Sequence, residues 1–85
     1  MERSDLKAGD LVWYSVYPFV NEKTGNEYFS AIVAFNEDEE RLVLQSFLED
    51  EVRQFMSDGV STFCDIEMAH DIIVRGSTGR AYYSI

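Results

Sequence analysis

Residue types able to carry covalent chemistry are scarce in this chain, which has one cysteine, Cys64, and one histidine, His70. Beside Asp65 and Asp71 they could be read as a nucleophile with its base. Nucleophilic catalysis, however, needs Cys and His within hydrogen-bond reach and a third group that orients the base. On a segment where Val60, Thr62, Cys64 and Ile66 alternate, Cys64 reads as a small buried hydrophobe. Metal ligation has no better footing, since Cys-x-x-Cys and paired histidines are both missing from the sequence, and one His with scattered carboxylates is not a ligand set. Gly76-Ser-Thr-Gly79 lacks the lysine and following helix of a phosphate loop. The expectation is a non-enzymatic protein with no metal and no other cofactor.

What the sequence does concentrate is carboxylate. Sixteen acids oppose seven bases, for a formal charge of −9. Phosphate binding needs clustered Lys and Arg, so direct contact with nucleic acid is not expected. A partner selected by electrostatics is basic. The charge is also segregated. Glu37, Asp38, Glu39, Glu40, Glu49, Asp50, Glu51, Asp58, Asp65, Glu67 and Asp71 are answered only by Arg41 and Arg53, and no acid follows Asp71. Glu37–Glu40 and Glu49–Glu51 would flank a strand at 41–47, about 23 Å long at roughly 3.3 Å per residue. Carboxylates along such an edge could compete for a groove shaped for DNA phosphates, with steering that weakens as salt rises. The plainer reading is a solvated hairpin tip followed by an acidic helix start.

Aromatic residues are the second candidate surface. On 10–19 the set Leu11, Trp13, Ser15, Tyr17, Phe19 opposes Val12, Tyr14, Val16, so both faces are apolar. One face must cover a core. The other is either roofed by the rest of the domain or exposed as a protein-binding patch.

The elements that must position these groups fit one domain, residues 1–85, of a size that buries about 60% of its unfolded surface. With 46% apolar and 14% aromatic residues the chain can build one core. It has neither a signal-peptide pattern nor a membrane-spanning apolar run, and a lone cysteine fits a reducing, cytoplasmic setting. Strands are expected over 10–19, 28–35, 41–47, 60–66, 72–74 and 81–85, with Pro18 ending ladder pairing in the first. Phe29, Ala31, Val33 and Phe35 share one face of the clearest strand. Over about 47–57, Leu48, Val52, Phe55 and Met56 recur at helical spacing after a Ser46-Phe-Leu-Glu49 capping box, and Gly59 suits the exit. The alternative there is a hairpin around Asp58-Gly59. Asp65 is expected to cap one helical turn before His70. The fold class is mainly β: an SH3-like small barrel of five or six short antiparallel strands with one short helix, or else α+β.

Gly9-Asp10-Leu11-Val12-Trp13, followed by Tyr17-Pro18-Phe19, resembles the opening strand of Tudor- and PWWP-type domains. The likeness covers about a dozen residues. It implies an aromatic cage for methylated lysine or arginine, which would fall on Trp13, Tyr14, Tyr17 and Phe19, with Tyr28 across the loop. The second Trp-Pro of the PWWP pattern and that family's basic surface are both missing. By size and charge the chain also resembles small acidic antagonists of bacterial defence systems carried by phages and plasmids. The functional expectation is a protein-interaction module with an acidic face, in its narrower form an inhibitor that mimics DNA in the nucleic-acid site of a basic partner. The alternatives are an aromatic-cage or peptide reader and a homodimeric accessory subunit.

Overall fold

A computed structural model describes residues 5–83. Five antiparallel strands form one sheet: β1 (Asp10–Ser15), β2 (Tyr28–Asn36), β3 (Arg41–Gln45), β4 (Phe63–Asp65) and β5 (Asp71–Ser77), in the order β4-β3-β2-β1-β5. A helix, α1 (Glu49–Ser57), links β3 to β4, and a 3-10 turn, Ile66–Met68, precedes β5. No helix among the described residues is long and apolar enough to cross a membrane.

Strand alternation sets the two faces. Val12 and Tyr14 of β1 pair with Ala31 and Phe29 of β2, and Val33 pairs with Leu44 of β3. All six are buried in one cluster with Leu6, Phe55 and Ala69. Phe55 ties α1 to it, its ring centroid 4.6 Å from that of Phe29. The opposite face carries Trp13, Ser30 and Ile73 in one cross-strand row.

Several boundaries differ from expectation for local reasons. β1 stops at Ser15, ahead of the cis Tyr17–Pro18 bond. β3 ends at Gln45, but the Ser46 amide still donates to the Thr62 carbonyl, continuing the ladder toward β4. Ser46 therefore stays with the sheet, and the expected capping box does not form: α1 starts at Glu49, after Leu48, with no side-chain cap. The helix reading of this segment holds against the Asp58-Gly59 hairpin. The expected strand 60–66 shrinks to Phe63–Asp65, and Asp65 makes no side-chain cap for the turn after it. The segment 72–74 lengthens instead to 71–77.

The last strand expected, 81–85, is not a sheet strand within the described residues; 84–85 lie outside them. Thr78 donates from both its amide and its hydroxyl to the Gly9 carbonyl, and this turns the chain away from β5. Tyr82 and Tyr83 then meet β2 at Phe35 through one amide–carbonyl bond and one isolated bridge. Gly9 has φ +100°, and a Cβ there would lie 1.9 Å from the Arg80 carbonyl oxygen, so only glycine fits this crossing.

Candidate functional site

The β2–β3 hairpin presents the first group of acids. Asn36 pairs with Arg41, leaving Glu37, Asp38, Glu39 and Glu40 as the connection. The turn closes because the Asn36 side chain accepts from the Glu39 amide at 3.1 Å and Glu40 takes a left-handed φ of +53°. All four acids are exposed. Arg41 bonds Glu39 at 2.8 Å and Asp65 of β4 at 3.1 Å. Its guanidinium pKa is raised first by the hydrogen bond to Glu39, then by the charges of Asp65 and Glu39, with Glu67 adding to them.

Asp65 and Glu67 thus join Glu39 around Arg41, beside the rest of the Glu37–Glu40 connection. Among the described residues Glu37, Asp38, Glu40 and Glu67 hold no ion pair. Sequence reasoning placed neither Asp65 nor Glu67 here. Only the β3–β4 register, with Val43 opposite Asp65, brings them to this end.

The second acidic run does not join this patch. β3 spans five residues, roughly 16 Å at a strand's rise, not the expected 23 Å. α1 packs at its far end, where Glu51 bonds Ser30, six positions along β2 from Asn36. Glu49 is paired with Arg53, and Asp50 lies 3.0 Å from Lys23 and 3.9 Å from Arg53. Their charge is answered locally.

Glu51, expected on the binding face, is instead 4% exposed. Its carboxylate accepts from the Ser30 amide at 2.8 Å and from the Asn21 side chain at 2.9 Å. β3 has already ended opposite Ser30, so the carboxylate supplies the acceptor that a longer strand would have offered. The signal was present: Glu51 stands three residues after Leu48 and four before Phe55, on the apolar stripe of α1.

The expected aromatic cage does not assemble. Tyr14 is a core residue, 2% exposed, and burial pushes its phenol pKa up to about 12. Phe19 packs against the core on the same side. Tyr17 stands free at 87% exposure. Only Trp13 and Tyr28 share a surface, a groove of about 470 Å³ that also takes in Leu48 and Ile73, with Glu51 and Asn21 beneath. Trp13 is 44% exposed and Ile73 41%.

Trp13 is already covered by a cation, the Arg75 guanidinium 4.5 Å from its ring centroid. Arg75 reaches it through a β-bulge. Leu11 pairs with Gly76 and Val12 with Val74, which leaves Arg75 as the extra residue of β5. Its guanidinium also donates to the Ser30 hydroxyl at 3.3 Å. At the groove's other end the Tyr28 hydroxyl donates to Asp71 at 2.8 Å, spanning β1 above Ser15; this bond chiefly raises the Tyr28 pKa.

Cys64 is half-buried on β4, its thiol 3.3 Å from the Asp65 carbonyl oxygen, and lines a cavity of about 290 Å³ with Tyr14, Phe19, Phe55 and Phe63. His70 is exposed. Among the described residues no three of His, Cys, Asp and Glu gather as a metal site. Compared with protein-family models, curated proteins and solved structures, the chain has no significant match to any.

Proposed function

We propose that this protein is a non-enzymatic interaction module that takes a basic protein partner on the acidic end of its β2–β3 hairpin. The observation that carries this is that Asp65 and Glu67 come to the hairpin end beside the exposed Glu37–Glu40 connection, where one guanidinium, that of Arg41, pairs with Glu39 and Asp65 and feels the charge of Glu67. Such a tip focuses a negative potential on one end of a small rigid domain, which steers and orients a cationic partner. The strand order and the 3-10 turn between β4 and β5 support reading the sheet as an SH3-like small barrel. The lone thiol of Cys64 is at home in the reducing cytoplasm.

In the narrower form of this proposal the partner binds nucleic acid, and the tip occupies part of its phosphate-binding groove. The tip then stands for a short run of phosphates, because Glu49 and Asp50 of α1 are turned to Arg53 and Lys23 and Glu51 is buried. A labelled Arg/Lys-rich peptide, followed by fluorescence anisotropy, tests the common core. Reversing Glu37, Asp38 and Glu40 to Lys is expected to weaken binding at least about tenfold, since charge reversal replaces attraction by repulsion. Neutralising Glu49 and Asp50 as Gln and Asn is expected to change it less than about threefold. Equal losses from the two sets would remove the assignment to the hairpin.

The open groove beside Trp13 favours a second reading, a reader of a peptide side chain. There the ligand has to displace Arg75 from the indole, so Arg75→Ala strengthens binding, and salt has little effect.

A further inference from the structure

We infer that two copies of this chain pair through their β5 strands, antiparallel, about a twofold axis at Ile73. β5 ends the sheet, and among the described residues its only strand partner is β1. It is also the most exposed strand, with Asp71, Ile73 and Arg75 through Ser77 all at the surface.

The backbone directions follow from one bond. The Ser30 amide points away from β1, to Glu51. In the Trp13–Ser30 row the polar groups therefore face apart, and those of Trp13 face β5, where they are taken by Ile73. By alternation the N–H and C=O of Ile72 and Val74 point out of the sheet, an open template for another strand.

An axis at Ile73 brings Ile72 opposite Val74 of the second copy, so these outward groups exchange N–H···O=C bonds in both directions. Ile73 meets its own equivalent in the closer, non-hydrogen-bonded pairing, where side chains touch. The same register sets Asp71 opposite Arg75 of the second copy, twice over. Neither residue has an ion pair within its own chain among the described residues. This pair contributes little energy but fixes register and orientation, as an isologous contact requires.

Charge favours this surface over others. Two molecules of charge −9 repel, and the chain from Ile72 onward contains no acid. The bulge at Arg75 ends the regular edge, so the contact is short and belongs to the weak, concentration-dependent class. It leaves both acidic tips free, so it stands or falls independently of the basic-partner reading.

Sedimentation velocity on the whole chain at about 0.15 M salt, where long-range repulsion is screened, tests the inference together with amide hydrogen exchange. A reversible dimer is expected, with the Ile72 and Val74 amides more protected as concentration rises. Ile73→Asp, at an exposed position, should raise the dissociation constant at least about 30-fold, the effect of losing a central contact. Arg75→Asp should weaken the dimer as well, and Asp71→Arg combined with Arg75→Asp should restore it. A chain that stays monomeric at millimolar concentration overturns the inference. So does a dimer in which the Ile72 and Val74 amides exchange as fast as in the monomer, or one indifferent to Ile73→Asp.

Discussion

Glu51 holds its carboxylate inside the protein on two neutral donors, the Ser30 amide and the Asn21 side chain. Asn21 in turn donates to the Tyr28 carbonyl and accepts from the Lys23 amide, so one buried pair organises the 21–26 loop, the start of β2 and the start of α1. Removing the acceptor leaves buried donors unpaired. Glu51→Ala is expected to lower stability by about 2–4 kcal/mol in urea unfolding, with Glu51→Gln between it and the wild type. Tyr14 gives a pH signature. Burial raises its phenol from 10.0 to about 12, so the folded state holds the proton more tightly than the unfolded chain. The resulting stability is whole below pH 10 and is lost as pH rises through about 12, a loss of roughly 2–3 kcal/mol. Tyr14→Phe should flatten the stability profile over that interval. An unchanged alkaline slope in the variant would assign the loss elsewhere. At this scale the sequence was partly legible. Trp13 and the hairpin acids lie at the surface as their strand and turn positions imply, whereas Tyr14 faces inward because β1 packs its even-numbered side against Phe29 and Ala31. Glu51 was misjudged by reading its charge ahead of its place on the helix.

The elements follow from hydrophobic period more closely than from end signals. The alternation of Phe29, Ala31 and Val33 and the helical spacing of Leu48, Val52 and Phe55 correspond to β2 and α1. The ends depend on contacts remote in sequence. Ser46 is held by Thr62, and the chain after Ser77 is turned by Gly9, so the capping box does not form and, within the described residues, the segment from 81 is not a sheet strand. That crossing makes Gly9→Ala a severe change. It strains a backbone at φ +100° and drives a Cβ into the Arg80 carbonyl, with an expected loss above about 2 kcal/mol in thermal unfolding. Phe55→Ala, which cuts the anchor of α1 to Phe29, should cost about 3–5 kcal/mol. The β5 bulge predicts a milder effect. Arg75→Ala, which strips the cation from the only tryptophan, should shift Trp13 emission while changing stability by less than about 1 kcal/mol.

Over the whole molecule, Glu37–Glu40, Asp65 and Glu67 lie together at one end of the sheet, the acids of α1 lie at the other, and the acid-free segment from Ile72 onward makes up most of the edge strand β5. The segregation of charge along the sequence was legible; its placement was not, since it depends on strand order. β3 places Arg41 between the hairpin tip and Asp65, while the Glu49–Glu51 run is divided between local ion pairs and the interior. The electrostatic reading therefore rests on the tip and on Glu67 more than on α1. Its most direct test is the salt dependence of affinity for a basic peptide, compared between wild type and a chain with Glu37, Asp38 and Glu40 changed to Gln. Raising salt from about 50 mM to about 200 mM should weaken wild-type binding steeply and the neutralised chain's binding only slightly. Parallel salt profiles for the two proteins would contradict the account.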